Sequence, residues 1–294
     1  RSELENITFH GGMVSVGDYA FEGCPNLNNV VLLKNMKTVG NYAFANCTGL
    51  SNFTFEEILE NDEPYTIGEH LFDGCTAITQ VILPNRMTMI PAYTFANSGI
   101  VHAEIPDCIT NLSAVGVFYN CKNLESVNIA AKKLSGKLGS LYFYGCSKLK
   151  DIVIPVGLDL SGNGHDNINL VDSGSYIFGE CTALETVTIY SQYGEPASGA
   201  YTFYNCSSLK QINVLMVTEY EKDEDGNVIG YKTATENWFG YLNPYAFYGC
   251  QSLKKIPMSA NFFGIGVGGP AFAGTAFEVL VFLAPNGFYQ ENSK

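Results

Sequence analysis

Residues 16–32 read VGDYAFEGCPNLNNVVL, and residues 39–55, which begin 23 positions later, read VGNYAFANCTGLSNFTF. The two stretches share a Gly, a Tyr, a Phe, a Cys and a Leu at the same relative positions, and each ends in a strand-like apolar segment. Apolar alternation with a period of two is typical of a β-strand with one buried side. The sequence therefore predicts a repeated unit that joins a turn to a short strand.

The turn signature of this unit, Phe-x-x-Cys, recurs along the whole chain. It is complete at Phe21/Cys24, Phe44/Cys47, Phe72/Cys75, Phe118/Cys121, Phe143/Cys146, Phe178/Cys181, Phe203/Cys206 and Phe247/Cys250, and a hydroxyl replaces the thiol at Phe95/Ser98 and Phe272/Thr275. Successive Phe positions are at least 23 residues apart, and the longest insertions lie near 155–175 and 217–238. A fixed minimum period with added loops is what a solenoid requires. We therefore predict one domain over residues 1–294, although the length alone would suggest about two.

The cysteines follow from the repeat. Eight of the nine belong to it and only Cys108 lies outside, so the odd number says nothing about pairing. No Cys-x-x-Cys pair is present, and stacked units would place neighbouring thiols in one internal row. We expect buried, inert thiols rather than metal or redox chemistry, because Cys is among the residues most often found buried.

The closest copies, residues 16–24 and 39–47, resemble the bacterial leucine-rich repeats of the BspA-like, or Treponema pallidum, type, whose unit is Ile-Gly-x-x-Ala-Phe-x-x-Cys-x-x-Leu-x-x-Ile-x-Ile-Pro. The likeness runs from residue 4 to about residue 283. The resemblance implies a leucine-rich-repeat right-handed solenoid of about eleven coils. It would be mainly β with turns and short helical segments, and its parallel sheet would form the concave face. The resemblance also implies an extracellular or bacterial cell-surface location, in a family whose members act as adhesins.

The net charge and the hydropathy of the chain exclude some classes of partner. The chain has 16 Lys plus Arg against 29 Asp plus Glu, a net charge of −13, which disfavours nucleic acid and anionic membrane surfaces. No apolar run approaches the roughly 18 residues of a membrane-spanning helix, so membrane insertion is not expected. We expect a monomer.

Motifs for catalysis or cofactors are weak. Residues 264–269 match the dinucleotide fingerprint formally, but they run into Pro270 rather than open a helix. The four histidines, His10, His70, His102 and His165, have no metal-ligand spacing. The sequence therefore predicts no catalytic residue, no cofactor, no metal and no enzyme activity, although a hydrolase that uses the insertion loops stays open as a minor alternative.

Two acidic stretches, 56–63 and 219–225, stand out. The second contains Asp225-Gly226 between alternating Tyr and Val or Ile residues, which predicts a protruding β-hairpin. A calcium loop is the alternative, but its ligand spacing would be longer and more regular.

The informative surface is the strand side that points away from the core. Two positions after each repeat Leu or its equivalent, the sequence places Asn6, Asn29, Asn52, Gln80, His102, Ser126, Asp151, Thr186, Gln211 and Lys255. Amides and hydroxyls dominate this row, whereas a merely soluble face would be richer in Lys and Glu. The row predicts a hydrogen-bonding recognition surface. The alternative is that Asn, Gln and Thr simply stack well on a sheet.

These expectations combine into a non-enzymatic binding module that uses its concave face to hold an extracellular protein or glycan. The competing interpretation is a structural spacer that presents another domain. The chain starts within a strand motif at residues 4–9, with no preceding Phe-x-x-Cys. Because natural solenoids cap their ends, we expect a fragment of a longer protein.

Overall fold

The structure, a computed structural model, describes residues 3–56, 65–130, 134–160, 175–191, 197–224, 228–236, 241–256, 258–259, 270–276, 280–283 and 289–292. Some of the predictions concern residues outside this set. They are those for residues 264–269, for His165, for the acidic stretch after Glu56 and for most of the 155–175 insertion.

The described residues form β-strands joined by turns. The strands are β1 (Ser15–Val16), β2 (Asn29–Leu32), β3 (Thr38–Val39), β4 (Asn52–Phe55), β5 (Thr66–Ile67), β6 (His102–Ile105), β7 (Ser126–Ile129), β8 (Gly136–Lys137), β9 (Asp151–Ile154), β10 (Leu158–Asp159), β11 (Thr186–Ser191), β12 (Ala197–Ser198), β13 (Gln211–Lys222), β14 (Val228–Glu236), β15 (Tyr241–Leu242), β16 (Met258–Ser259), β17 (Leu280–Leu283) and β18 (Tyr289–Asn292). Within this part of the chain there is no helix, and so none that could cross a membrane. The expectation of short helical segments is wrong here, because tight turns make the connections.

Two sets of parallel strands run along the stack. The first set, which we call the strand face, comprises β2, β4, β6, β7, β9, β11 and β13, and these strands pair as β2-β4, β6-β7 and β9-β11-β13. The second set consists of two-residue strands that precede the turns, paired as β1-β3-β5, β8-β10 and β12-β15. The molecule is therefore a parallel-strand β-solenoid, as predicted.

The solenoid has about seven turns, so the prediction of about eleven coils is too high. The motif count included coils that do not form a strand on this face. Asn6 makes only an isolated parallel bridge with Asn29, and Gln80 and Lys255 lie outside any strand. A repeat motif in the sequence thus marks a turn more dependably than it marks a strand.

The turns form a second side of the molecule, which we call the turn edge: the residues from four before each repeat Phe to its Cys. Two residues in each regular turn adopt a left-handed backbone. One precedes the Phe by two positions, as at Tyr42 with φ 54°, and the other follows it by two, as at Asn46 with φ 58°. Gly takes the second position in half of the turns, where its lack of a Cβ makes this conformation easy.

The repeat Phe side chains fill the core behind this edge. Eight of the nine successive pairs stack nearly parallel, with ring centroids 5.2 to 5.8 Å apart and planes within 15° of each other. Between Phe44 and Phe72, the Phe53 ring packs edge-on against both. Backbone bonds join the same coils: the Phe95 N–H donates to the Val117 carbonyl at 2.9 Å. The predicted internal row of Phe is confirmed.

The repeat Cys side chains form a second internal row, and all eight are buried. From Cys47 onward each repeat thiol lies 2.9 to 3.2 Å from a Phe carbonyl oxygen of an earlier coil and donates to it. Most of these carbonyls also accept the N–H of the residue three positions later in their own turn, as the Phe118 carbonyl does from the Cys121 N–H at 3.2 Å, so the thiol adds a second bond that joins two coils. Cys108, outside the repeat, is half-buried.

The predicted hairpin is also present. β13 continues beyond the strand face and pairs antiparallel with β14, with Tyr220 opposite Tyr231. Glu219 in its first strand forms an ion pair with Lys232 at 2.8 Å. Asp225 and Gly226, at the expected turn, lie outside the described residues.

Candidate functional site

The strand face brings most of the predicted recognition row into register. Asn29 lies opposite Asn52, and His102 lies opposite Ser126. Three further residues align across β9, β11 and β13: Asp151, Thr186 and Gln211. Nine of the ten predicted side chains are exposed, and Thr186 is half-buried. Gln80 and Lys255 are exposed but are not held by a strand, and Asn6 is tied only by its bridge to Asn29.

A second outward row was missed by the sequence prediction. It lies two residues further along each strand, and its members are Val31, Thr54, Ile82, Glu104, Asn128, Val153, Thr188 and Asn213. Ile82 is 75% exposed and Val153 is 51% exposed. The alternation that located the first row also implied the second, so the signal was in the sequence. The face therefore carries apolar as well as polar contact points.

Side chains on this face hydrogen-bond to each other between coils. The Asn128 amide donates to the Glu104 carboxylate at 2.8 Å, and the Asn213 amide donates to Thr188 Oγ1 at 3.2 Å. His102 Nδ1 and Ser126 Oγ are 2.8 Å apart. Some polar side chains of the strand face are thus hydrogen-bonded within the protein. This is expected if Asn, Gln and Thr are present only because they stack well on a sheet.

A cleft interrupts the strand face between β4 and the following coil. Its volume is about 800 Å³, and it is lined by residues 51–56 on one wall and by residues 79–80 and 82–86 on the other, with Leu32, Leu33 and Tyr65. This volume lies within the roughly 300–1,000 Å³ of typical ligand clefts. Asn52 and Gln80, both in the predicted row, lie on opposite walls. Only Glu56 and Arg86 among the lining residues carry charge.

The side chains of β4 account for the cleft. Phe53 and Phe55 occupy its two inward positions, where the other six strands of this face carry only aliphatic residues. The Phe53 ring packs edge-on against Phe44 and Phe72, with centroids 5.2 and 4.6 Å away. Phe55 packs edge-on against Tyr65 at 5.5 Å. Two bulky rings in one strand hold the next coil away from the spacing of about 4.8 Å that strand pairing needs.

The repeat cysteines behind the strand face are chemically unreactive thiols. Burial raises the pKa of Cys47 to about 11 and the pKa values of Cys121 and Cys250 to about 12. These thiols are therefore protonated at neutral pH, whereas a nucleophilic or metal-binding cysteine needs the thiolate. In the part of the chain that the structure describes, no group of three or more His, Cys, Asp or Glu side chains could hold a metal ion.

His70 has a structural position. It takes the place of the repeat Tyr at the turn edge and stacks between Tyr42 and Tyr93, with ring centroids 4.3 and 4.8 Å away. Its Nδ1 lies 2.8 Å from an oxygen of Asp73 in the same turn. This histidine is thus part of an outer aromatic row, half-exposed, that follows the internal Phe row.

Comparison with known protein families gives one match. The model of the BspA type leucine rich repeat region fits the chain in six copies, over residues 1–115, 59–164, 165–223 and 232–286. A comparison with curated protein sequences found no match.

Solved structures with the same architecture include a leucine rich cell surface protein from Faecalibacterium prausnitzii. It shares 21% identity with this chain over 90% of this chain and 67% of its own, with a TM-score of 0.52. The T. pallidum leucine-rich repeat protein is 20% identical over 69% of this chain and 75% of its own, with a TM-score of 0.42. The pneumococcal vaccine antigen PcpA is 16% identical over 81% and 68%, with a TM-score of 0.37.

Proposed function

The chain belongs to the BspA-type leucine-rich repeat family, and we propose that it is a non-enzymatic, adhesin-like binding module of a bacterial surface or secreted protein. Its ligand is an extracellular protein or glycan, held on the strand face. The similar structure from F. prausnitzii carries the name of a cell surface protein, which supports the location.

One observation carries the proposal: the strand face holds exposed, mostly uncharged hydrogen-bonding side chains in register, beside a cleft of about 800 Å³. Such groups give orientation and specificity in a contact without depending on charge steering. A spacer would need only the turn edge and the core, and it would not need a cleft. The spacer remains the second candidate because some polar side chains on the face bond to each other.

The experiment is a ligand screen followed by a face variant. The protein is applied to an array of glycans and to a panel of extracellular proteins, and each ligand found is titrated against Asn29→Ala/Asn52→Ala/Gln80→Ala. A matched triple variant, Thr48→Ala/Thr76→Ala/Lys122→Ala, changes exposed residues of the turns. We expect the first variant to weaken binding at least about tenfold, since it removes several hydrogen bonds of a contact, and the second to leave it unchanged.

Two results would contradict the proposal. If a ligand binds the face variant and the parent protein equally well, the strand face is not the binding surface. If the screen yields no ligand at all, the spacer is the better description. Turnover of any glycan on the array would instead point to enzyme activity.

A further inference from the structure

We propose that the cleft beside β4 receives one extended strand of a partner polypeptide, which pairs through its backbone with the free edge of β4. The inference rests on the proposed function and specifies the partner and the mode of binding. The occupant is an unfolded or terminal segment of a protein rather than a glycan.

The hydrogen-bonding pattern of β4 identifies its free edge. The Asn52 N–H donates to the Asn28 carbonyl at 3.1 Å, and the Glu56 N–H donates to the Leu32 carbonyl at 2.9 Å. Backbone groups of successive strand residues point to opposite sides, so those of Phe53 and Phe55 face the cleft. Within the described residues, β4 pairs with β2 and with no other strand.

The opposite wall is also free of strand pairing. Residues 80–83 fit the repeat, yet they belong to no strand. The Val101 N–H donates to the Thr79 carbonyl at 2.9 Å, which ties the start of this segment to the coil of β6, whereas the cleft of about 800 Å³ lies on the side of β4. An inserted strand would have a backbone edge on one side and a polypeptide wall on the other.

The same molecule shows that its edges accept an added strand. β14 pairs antiparallel with the end of β13, and β18 pairs antiparallel with β17. At both places the parallel stack is extended by a strand of opposite direction. Exposed strand edges bind extended peptides by this mechanism in many proteins, and within the described residues β4 has such an unpaired edge at the cleft.

A second gap in the pairing serves as a comparison. β7 and β9 do not pair either, but they still contact each other. A free edge alone therefore does not select the site; an edge with room beside it does.

The side chains around the cleft favour an uncharged occupant. Asn52, Thr54, Gln80 and other neutral residues line it, and among the described residues that line it only Glu56 and Arg86 are charged. Arg86 lies over the Tyr65 ring, 5.6 Å from the centroid, while Glu56 accepts a bond from the Lys34 N–H at 3.2 Å. The Tyr65 hydroxyl is buried and has no hydrogen-bond partner among the residues that the structure describes.

The test uses a fluorescein-labelled probe peptide of alternating Thr and Val with one Glu and one Lys at its ends, ETVTVTVK, with blocked termini and no net peptide charge. Two further peptides are N-methylated, one at the Thr residues and one at the Val residues, so that each lacks the donors of one strand edge. We expect saturable binding of the parent peptide. One of the two methylated sets should bind about tenfold more weakly, because it loses the bonds to β4. Hydrogen exchange at the Phe53 and Phe55 amides should slow on binding.

Protein variants locate the site. Thr54→Arg and, on the other wall, Ile82→Arg place a long charged side chain at the cleft from exposed positions. Thr188→Arg is the matched control, since it makes the same kind of change on β11, which pairs on both sides. The first two should weaken peptide binding at least about tenfold, as expected for a hindered backbone contact, and the control should not.

Several results would overturn the inference. These are no saturable binding, equal affinity of both methylated peptides and the parent, or equal loss in the cleft variants and in Thr188→Arg. A dimer that Thr54→Arg disrupts would assign the edge to a second copy of this chain. If the peptide fails but the array ligand still depends on Asn29, Asn52 and Gln80, only the strand insertion is wrong. If peptide binding succeeds but the array ligand does not depend on them, the wider proposal is wrong.

Discussion

The turn edge and the strand face are built from the same repeats, but they differ in regularity. At the turn edge, successive Phe rings stack at 5.2 to 5.8 Å except between Phe44 and Phe72, where Phe53 packs against both rings. Each repeat thiol from Cys47 onward binds a Phe carbonyl. On the strand face, pairing stops at the cleft and again between β7 and β9. Uniform contacts on one side allow the other side to vary, because the coil does not depend on the face for its position.

The largest expected difference between the two sides concerns burial. Phe118 is 2% exposed and stacks between Phe95 and Phe143, so Phe118→Ala should lower the free energy of unfolding by about 3–5 kcal/mol. Val153→Ala on the strand face should cost less than about 1 kcal/mol, since half of the side chain is already in water. Guanidinium denaturation of both variants measures this, and similar losses would remove the distinction between the two sides.

A smaller effect concerns the thiols. Cys121→Ala removes the 2.9 Å bond to the Phe95 carbonyl and should cost about 1–3 kcal/mol at pH 7, whereas the half-buried Cys108→Ala should cost less than about 0.5 kcal/mol. Burial raises the pKa of Cys121 to about 12 in the folded chain. The unfolded thiol ionises first as pH rises, so its stabilising contribution is complete below about pH 8.5 and is lost progressively up to pH 12.

The pH dependence of the Cys121→Ala effect tests directly whether burial keeps this thiol protonated. At pH 10 the cost of Cys121→Ala should be about 2 kcal/mol smaller than at pH 7, because the alanine variant has no thiol to ionise. Denaturation midpoints of both proteins at the two pH values measure it. A cost that stays constant or grows with pH would mean that the thiol is not held protonated by burial.

The smallest effect belongs to the strand face. A double-mutant cycle with His102→Ala and Ser126→Ala should give a coupling of about 0.2–1 kcal/mol, as for other exposed cross-strand pairs. The two atoms involved are 2.8 Å apart. A coupling near that of a core contact would show that the face supports the fold, and the residues would then be poor candidates for binding a partner.

The sequence predicted the turn edge well because every residue that builds a turn lies within one motif. Phe95, Ser98 and their equivalents define the position without reference to distant residues. The first outward row followed from the alternation of buried and exposed positions along a strand. The second row, which includes Ile82, lies two residues further along and follows from the same alternation.

The cleft could not be read from the motif of its own coil. Residues 78–83 match the repeat as well as those of coils that do form strands. The feature that distinguishes this place lies in the preceding coil, where Phe53 and Phe55 occupy the inward positions of β4. Tyr65 and Arg86 reach the site from arcs between strands, where the sequence has no periodicity. The site therefore depends on contacts between coils, which a motif within a single coil does not encode.

The stacked turns also bear on how such a chain can change over evolutionary time. Because each coil contacts its neighbours through the same Phe, Cys and backbone bonds, duplication of one 23-residue unit would add one rung of about 4.8 Å without new kinds of contact. Every strand-face residue beyond the insertion would shift by that distance relative to the cleft. A single recombination event could thus change the spacing between two contact points while leaving the scaffold intact.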